Sequence, residues 1–266
     1  MTDEIWRLVD GEGPLVAAAI HDGHALRDEV ATLMTLDDGG RLREEDPYTS
    51  LWTEVAPIRV VGLRSRFEVD LNRPRERAVY REPGDAWGLD IWESSPPDEL
   101  VQLSLAEYDA FYSFMHGLLE RTREKNGCFL VYDLHSYNHR RDGPDRLPAD
   151  PAENPQVNVG TGTMDRERWG PIVDRFMGEL RAHPFPGGPL DVRENVKFRG
   201  GNFARWVHQT FPADGCVLAI EFKKFFMDEW TGQPDQNTIA AIRDALAATT
   251  AGVRAELARC RPVEYP

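Results

Sequence analysis

Four short apolar runs punctuate the chain, at residues 15–20 (LVAAAI), 58–62 (IRVVG), 128–132 (CFLVY) and 216–220 (CVLAI). Each is too short for a helix and runs into polar or glycine-containing residues, the pattern of a buried strand bounded by a turn. Residues 66–71 alternate weakly and are read as a further strand. Three longer segments carry helical spacing. The first, 104–125, opens on the Ser104/Glu107 spacing of a capping box and stops at Asn126-Gly127. The second, 165–182, has Asp165 as its candidate cap and Pro171 near its start, and the third, 237–261, is rich in Ala and Leu. Strands alternating with helices predict an α/β fold: one domain over 1–266, with a central mixed, mostly parallel sheet flanked by helices on both faces. The most irregular stretch is 140–155, where Pro144, Pro148, Pro151 and Pro155 stand among Asp and Arg. Loops longer than about 12–15 residues in compact domains are often lids or binding loops.

Composition narrows the functional classes. An apolar fraction of 41% with 29% charged residues is that of a globular chain. The formal net charge of −14 opposes binding to a phosphate backbone, and no long run of basic residues offsets it. Cys128, Cys216 and Cys260 are far apart and odd in number, which argues against a disulfide framework and for a reducing cytoplasm. Residues 1–10 are polar and acidic, unlike a secretory leader. No apolar run approaches the roughly 20 residues that span a bilayer. The expectation is a soluble, cytoplasmic protein that acts on a small molecule, with neither nucleic acid nor membrane as partner.

In open α/β sheets, ligands bind beyond the carboxyl ends of the strands, and that is where this chain concentrates its polar chemistry. The run at 15–20 leads into His21-Asp22-Gly23-His24, and the run at 128–132 into Asp133-Leu134-His135. A neutral imidazole at a strand exit suits zinc, and Asp133 is placed to orient a ligating ring. Between the two lies Glu44-Glu45-Asp46-Pro47, any carboxylate of which could complete a His/carboxylate/His set with one open position. Residues 65–74 deliver Arg66, Asn72 and Arg73 to one rim, where guanidinium and amide donors suit a carboxylate. The run at 216–220 ends in Glu221, a candidate general base whose pKa would rise on burial. Arg199-Gly200-Gly201-Asn202 precedes an apparent helix and is a candidate anion site. Singly, each has a plainer reading: a loop histidine, an acidic turn, a surface arginine pair, a glutamate paired with Lys223 or Lys224. Their joint occurrence after successive strands favours chemistry.

The order His21, Glu45-Asp46-Pro47-Tyr48-Thr49, Ser65-Arg66-Phe67, Asp70-Leu71-Asn72-Arg73, Asp133-Leu134-His135-Ser136 and Glu221 resembles the N-formylglutamate amidohydrolase family, distantly similar to aspartoacylase and the zinc carboxypeptidases. The resemblance runs from about His21 to Glu221. It implies a carboxypeptidase-like sheet and one Zn2+ held by His21, His135 and a carboxylate from Glu45 or Asp46. It also implies that Arg66 polarises the scissile carbonyl, that Asn72 and Arg73 hold a substrate carboxylate, and that Glu221 is the general base. The chain departs from the family in having Ile20-His21-Asp22-Gly23 where Pro-His-Ser-Gly is usual. Where carboxypeptidases place a ligating Glu three residues after the first His, it has His24. The third ligand is therefore open among Glu45, Asp46 and His24. The implied activity is hydrolysis of the N-acyl amide of a carboxylate-bearing amino acid such as N-formylglutamate. Alternatives are a metallo-carboxypeptidase, another N-acyl amino acid hydrolase, or a non-catalytic binding module on the same fold.

Overall fold

The computed structural model describes residues 4–260. Seven strands form one sheet: β1 (Trp6–Val9), β2 (Leu15–Ala19), β3 (Ile58–Gly62), β4 (Phe129–Tyr137), β5 (Val157–Gly160), β6 (Val192–Glu194) and β7 (Gly215–Lys223). Their order is β1-β3-β2-β4-β7-β5-β6. The pairs β2/β3, β2/β4, β4/β7 and β5/β6 are parallel, while β1/β3 and β5/β7 are antiparallel. The sheet is thus mixed and mostly parallel, as the strand–helix alternation predicts.

Each apolar run is continuous because its strand is buried on both faces, and alternate residues feed two separate cores. Leu15, Ala17, Leu130, Tyr132, Cys216 and Leu218 pack on one face with Trp52, Phe176, Ile242 and Leu246. That layer is built from α3 (Thr49–Trp52), α5 (Arg166–Ala182) and α7 (Gln236–Leu257). Val16, Ala18, Phe129, Val131, Val217 and Ala219 pack on the other with Phe111, Met115, Phe203 and Val207, from α4 (Asp98–Asn126) and α6 (Asn202–Thr210). Two short helices, α1 (Asp28–Ala31) and α2 (Asp38–Glu44), lie in the connection after β2. Among the described residues no helix is long and apolar enough to cross a membrane.

The ends of the helices follow local chemistry. Asp165 caps α5 by accepting from the Glu167 and Arg168 amides at 3.0 and 3.1 Å. Asp235 does the same for α7, which starts one residue before the expected Asn237. Helix α4 departs from expectation. It begins at Asp98, not Ser104, with Asp98 and Glu99 at its positive end. Ser104 lies buried inside the helix and accepts from Arg27 Nη2 at 2.5 Å, so it caps nothing. The stop is as read, with Gly127 at φ 81°.

The strand expected at 66–71 is absent. These residues form turns, although Phe67, Val69 and Leu71 are buried. Their conformation is set by Asp70, whose carboxylate takes the Asn72 amide at 2.8 Å and so turns the chain back.

Candidate active site

Parallel strands β4 and β7 are in register over nine residue pairs, which sets His135 opposite Glu221. Side chains alternate along a strand, so Asp133, His135 and Glu221 share the face lined by Val131 and Ala219 lower down. His21 lies just beyond β2. Asp46 follows α2, and its amide donates to the His21 carbonyl at 2.9 Å, which ties the two connections together.

His21, Asp46 and His135 converge. All three are buried, and one donor atom from each lies within 4.8 Å of the others. Both rings turn Nδ1 towards Asp46 Oδ2, at 3.5 Å from His21 and 2.9 Å from His135. Behind each ring a carboxylate holds Nε2: Asp70 Oδ1 at 2.8 Å for His21 and Asp133 Oδ1 at 2.9 Å for His135. A ring that gives its Nε2 proton to a carboxylate presents a lone pair at Nδ1, the usual arrangement behind a ligating histidine. His21 Nδ1 is buried and has no hydrogen-bond partner. Two imidazole nitrogens, one of them with an orphaned lone pair, and one carboxylate oxygen fit a divalent metal of the zinc type.

Burial alone would push the Asp46 carboxyl up, but His135 and His21 outweigh it and hold the group well below the usual carboxylate range. Burial would likewise lower the His135 ring, but Asp133 and Asp46 raise it well above its ordinary value, so the site favours a positive charge between His135 and Asp46, whether a proton on Nδ1 or a metal cation in its place. Ser136 adds a hydroxyl to Asp46 Oδ1 at 3.1 Å.

A second wall comes from the irregular segment after β3, organised around Asp70. Besides His21 and the Asn72 amide, Asp70 takes Arg66 Nη2 at 2.8 Å and the Tyr80 hydroxyl. Burial opposes its charge, but Arg66 and His21 dominate and hold it well below the usual range. Arg66, kept firmly charged by Asp70 in spite of burial, also reaches the Glu44 carbonyl at 3.3 Å and lies 4.9 Å from the Trp87 ring centroid. Asn72 lies beside His135, its Nδ2 3.5 Å from Nε2, and its Oδ1 accepts the Phe203 amide at 2.9 Å. A Cβ on Gly201 would run into the Asn72 amide, so glycine is what lets the start of α6 approach.

These groups open on a cavity of about 220 Å3 lined by His21, Asp46, Arg66, Asn72, His135 and Glu221, among others. That is below the roughly 300–1,000 Å3 of drug-sized sites, and suits a small amino acid derivative. Glu221 is only partly shielded, yet its carboxylate makes no hydrogen bond among the described residues. Loss of hydration raises its pKa to about 8, against the pull of His135. Lys224, read from sequence as a partner for Glu221, is not one. It is buried and donates to the carbonyls of Arg43 and Glu45 at 2.5 and 2.7 Å.

Two expected positions fall outside the converging group. The Glu45 side chain turns away: its Oε2 lies 2.5 Å from His24 Nδ1 and its Oε1 takes the Ser65 hydroxyl. Glu45 and His24 therefore satisfy each other, and Asp46 is the carboxylate that reaches both histidines. Arg73 does not line the cavity. Its Nη2 donates to the Asp85 carbonyl at 2.7 Å, and its guanidinium lies 4.8 Å from the Tyr80 ring centroid. Sequence reasoning assigned no role to Asp70, Tyr80 or Trp87, and read Lys224 only as a partner for Glu221. Only Asp70 left a signal, the Asp-x-Asn spacing of a side-chain-capped turn. In the irregular stretch 140–155, Arg141 lines the cavity and pairs with Glu44 at 2.9 and 3.2 Å.

Two solved structures share the fold. N-formylglutamate amidohydrolase from Ralstonia eutropha JMP134 matches with a TM-score of 0.73 at 18% identity, over 96% of this chain and 98% of that one. A gene product of Agrobacterium tumefaciens matches with a TM-score of 0.65 at 17% identity, over 95% and 96%. No curated protein sequence matches the chain. The family model for N-formylglutamate amidohydrolase matches residues 13–227, a span that holds every residue of the cavity described above. On that match, the chain belongs to the N-formylglutamate amidohydrolase family.

Proposed function

We propose that this chain is a zinc amidohydrolase that removes the N-formyl group of a carboxylate-bearing amino acid such as N-formylglutamate. The observation that carries the reading is the buried His21–Asp46–His135 group, with His21 Nδ1 unpartnered, in a cavity that Glu221 also lines. Zinc held by these three residues would supply a Lewis acid for the scissile carbonyl and for water.

The chain's own residues carry the remaining work. Glu221 takes a proton from the attacking water and returns it to the departing nitrogen. Having no hydrogen-bond partner among the described residues, its carboxylate is available for both transfers. Arg66 faces the oxygen on which negative charge develops. Three of its donors already engage Tyr80, the Glu44 carbonyl and Asp70, which fixes the plane of the guanidinium and leaves N–H groups for substrate. Asn72 positions the substrate beside His135, and Arg73 acts from behind by bracing Tyr80. The products are formate and the free amino acid.

The test pairs metal content with turnover. After zinc loading and dialysis, the parent should hold about one zinc per chain and release formate from N-formyl-L-glutamate, with both lost in His21→Ala and His135→Ala. A parent that takes up no zinc under any loading condition would sink the metal assignment. A zinc-loaded parent inert towards N-formyl amino acids would sink the substrate assignment.

A further inference from the structure

Four cationic residues line the cavity: Arg66, Arg141, Arg199 and Lys224. Three are already committed. Arg66 is bound to Asp70 and on the proposed mechanism turns its remaining N–H groups to the scissile carbonyl, Arg141 is bound to Glu44, and Lys224 to two backbone carbonyls. Arg199 is exposed, and its side chain has no hydrogen bond or ion pair among the described residues. Arg73 does not line the cavity.

The backbone around Arg199 is held in place although its side chain is free. Its carbonyl accepts the Gly162 amide at 2.7 Å, and the Asn202 amide donates to the Asn72 carbonyl at 3.1 Å. Asn158, opposite Glu221 in the β5/β7 register, takes the Lys197 and Phe198 amides on Oδ1 at 2.8 and 3.3 Å and donates Nδ2 to the Phe198 carbonyl at 2.9 Å. Gly200 sits at φ 106°, and a Cβ on Gly160 would collide with it. The loop is therefore clamped to the strand beside Glu221 and holds Arg199 in the cavity wall, its side chain passing over Gly162 and without a hydrogen-bonded partner among the described residues. A guanidinium fork binds carboxylates through paired charge-assisted hydrogen bonds.

We infer that Arg199 is the substrate-binding residue that receives a carboxylate of the amino acid substrate. The inference rests on the reading that the substrate is an N-acylated acidic amino acid. The guanidinium takes either the α-carboxylate or the side-chain carboxylate, and amides of each tell the two apart.

The experiment measures kcat and KM of the zinc-loaded parent, Arg199→Gln and Arg199→Lys on N-formyl-L-glutamate, N-formyl-L-glutamine and N-formyl-L-isoglutamine. Calorimetry of L-glutamate, L-glutamine and L-isoglutamine on the same proteins gives a readout independent of turnover. In the parent, replacing the recognised carboxylate by an amide should raise KM about 10- to 100-fold. Arg199→Gln should raise KM for N-formyl-L-glutamate by a similar factor with kcat within about threefold, and should lose the preference over that one amide. Arg199→Lys should recover part of it, because the charge returns without the fork. If Arg199→Gln keeps the parent's preference over both amides, in turnover and in calorimetry, the inference is overturned. If the parent hydrolyses none of the substrates, the proposed activity fails, and calorimetry alone decides Arg199. There, loss of the L-glutamate preference in Arg199→Gln supports carboxylate binding, and its retention, or no preference in the parent, overturns it.

Discussion

Asp70, buried behind one wall of the cavity, and Glu221, partly shielded on the other, both lose hydration and end in opposite states. Loss of hydration pushes each towards the neutral form. Asp70 meets four donors, from His21, Arg66, Tyr80 and the Asn72 amide, and keeps its charge. Glu221 meets none among the described residues and is pushed up to about 8. The number of partners, more than depth, decides which carboxylate is held charged as an anchor and which is left able to take up a proton. An anchor stabilises the fold and fixes geometry. A carboxylate without partners costs stability and is free for chemistry.

The largest expected effect comes from removing the free member. Glu221→Gln should lower kcat on N-formyl-L-glutamate by about three orders of magnitude with KM little changed, the size of a lost general base. It should leave the fold at least as stable as the parent. The sign follows from the raised pKa. The parent's Glu221 favours folding below about pH 4.5 and loses that contribution as pH rises towards 8. With a chelator present, urea unfolding should therefore show Glu221→Gln gaining on the parent over that range. A variant with parental turnover would remove Glu221 from the reaction.

Asp70→Asn tests the anchor and should behave in the opposite way. It leaves Arg66 without its buried counter-ion and His21 without its backing carboxylate, at a cost of about 3–5 kcal/mol in unfolding free energy. Zinc affinity should fall about 10- to 100-fold, as is typical when the group behind a ligating histidine is lost. Unchanged stability and affinity would show that Arg66 and His21 hold their places without it.

A smaller effect, outside the site, checks whether partner count governs elsewhere. His208 is buried, with Nε2 accepting the Val217 amide and Nδ1 beside the Thr163 hydroxyl, both at 3.0 Å. Burial is the main cause of its lowered pKa, about 4. A ring kept neutral in the fold but able to protonate when unfolded stabilises fully above about pH 6.5. It loses that contribution as pH falls towards 4, about 3 kcal/mol in all. His208→Gln can still accept from Val217 and should flatten the pH dependence of unfolding over that interval. An unchanged slope would place the titration on other groups.

The parts of the molecule legible in the sequence are those where one physical rule acts alone. Strands β2, β3, β4 and β7 are buried on both faces, so their apolar runs stand out, and His21, His135 and Glu221 follow from where those runs end. Strands β5 and β6 are only four and three residues long, so no periodicity can mark them. The 66–71 segment misled because its apolar residues Phe67, Val69 and Leu71 alternate as in a strand, while Asp70 bends the backbone into turns. Asp46 could not be told from Glu45 by pattern, since adjacent residues differ only in direction. The turn after α2 points one at the histidines and the other at His24. Lys224 and Trp87 reach the cavity through tertiary contacts alone.

The register of β4 and β7 has a consequence for the chain as it is made. His21 is synthesised early and Glu221 late, so a ribosome-bound intermediate that ends before β7 has His135 with no neighbouring strand on that side. Until β7 is added, Asp133 and His135 remain polar groups on an uncovered sheet edge, a feature that chaperones or premature pairing would meet first. The last long strand to be made therefore joins the two parts of the sheet and completes the lining of the cavity in a single event.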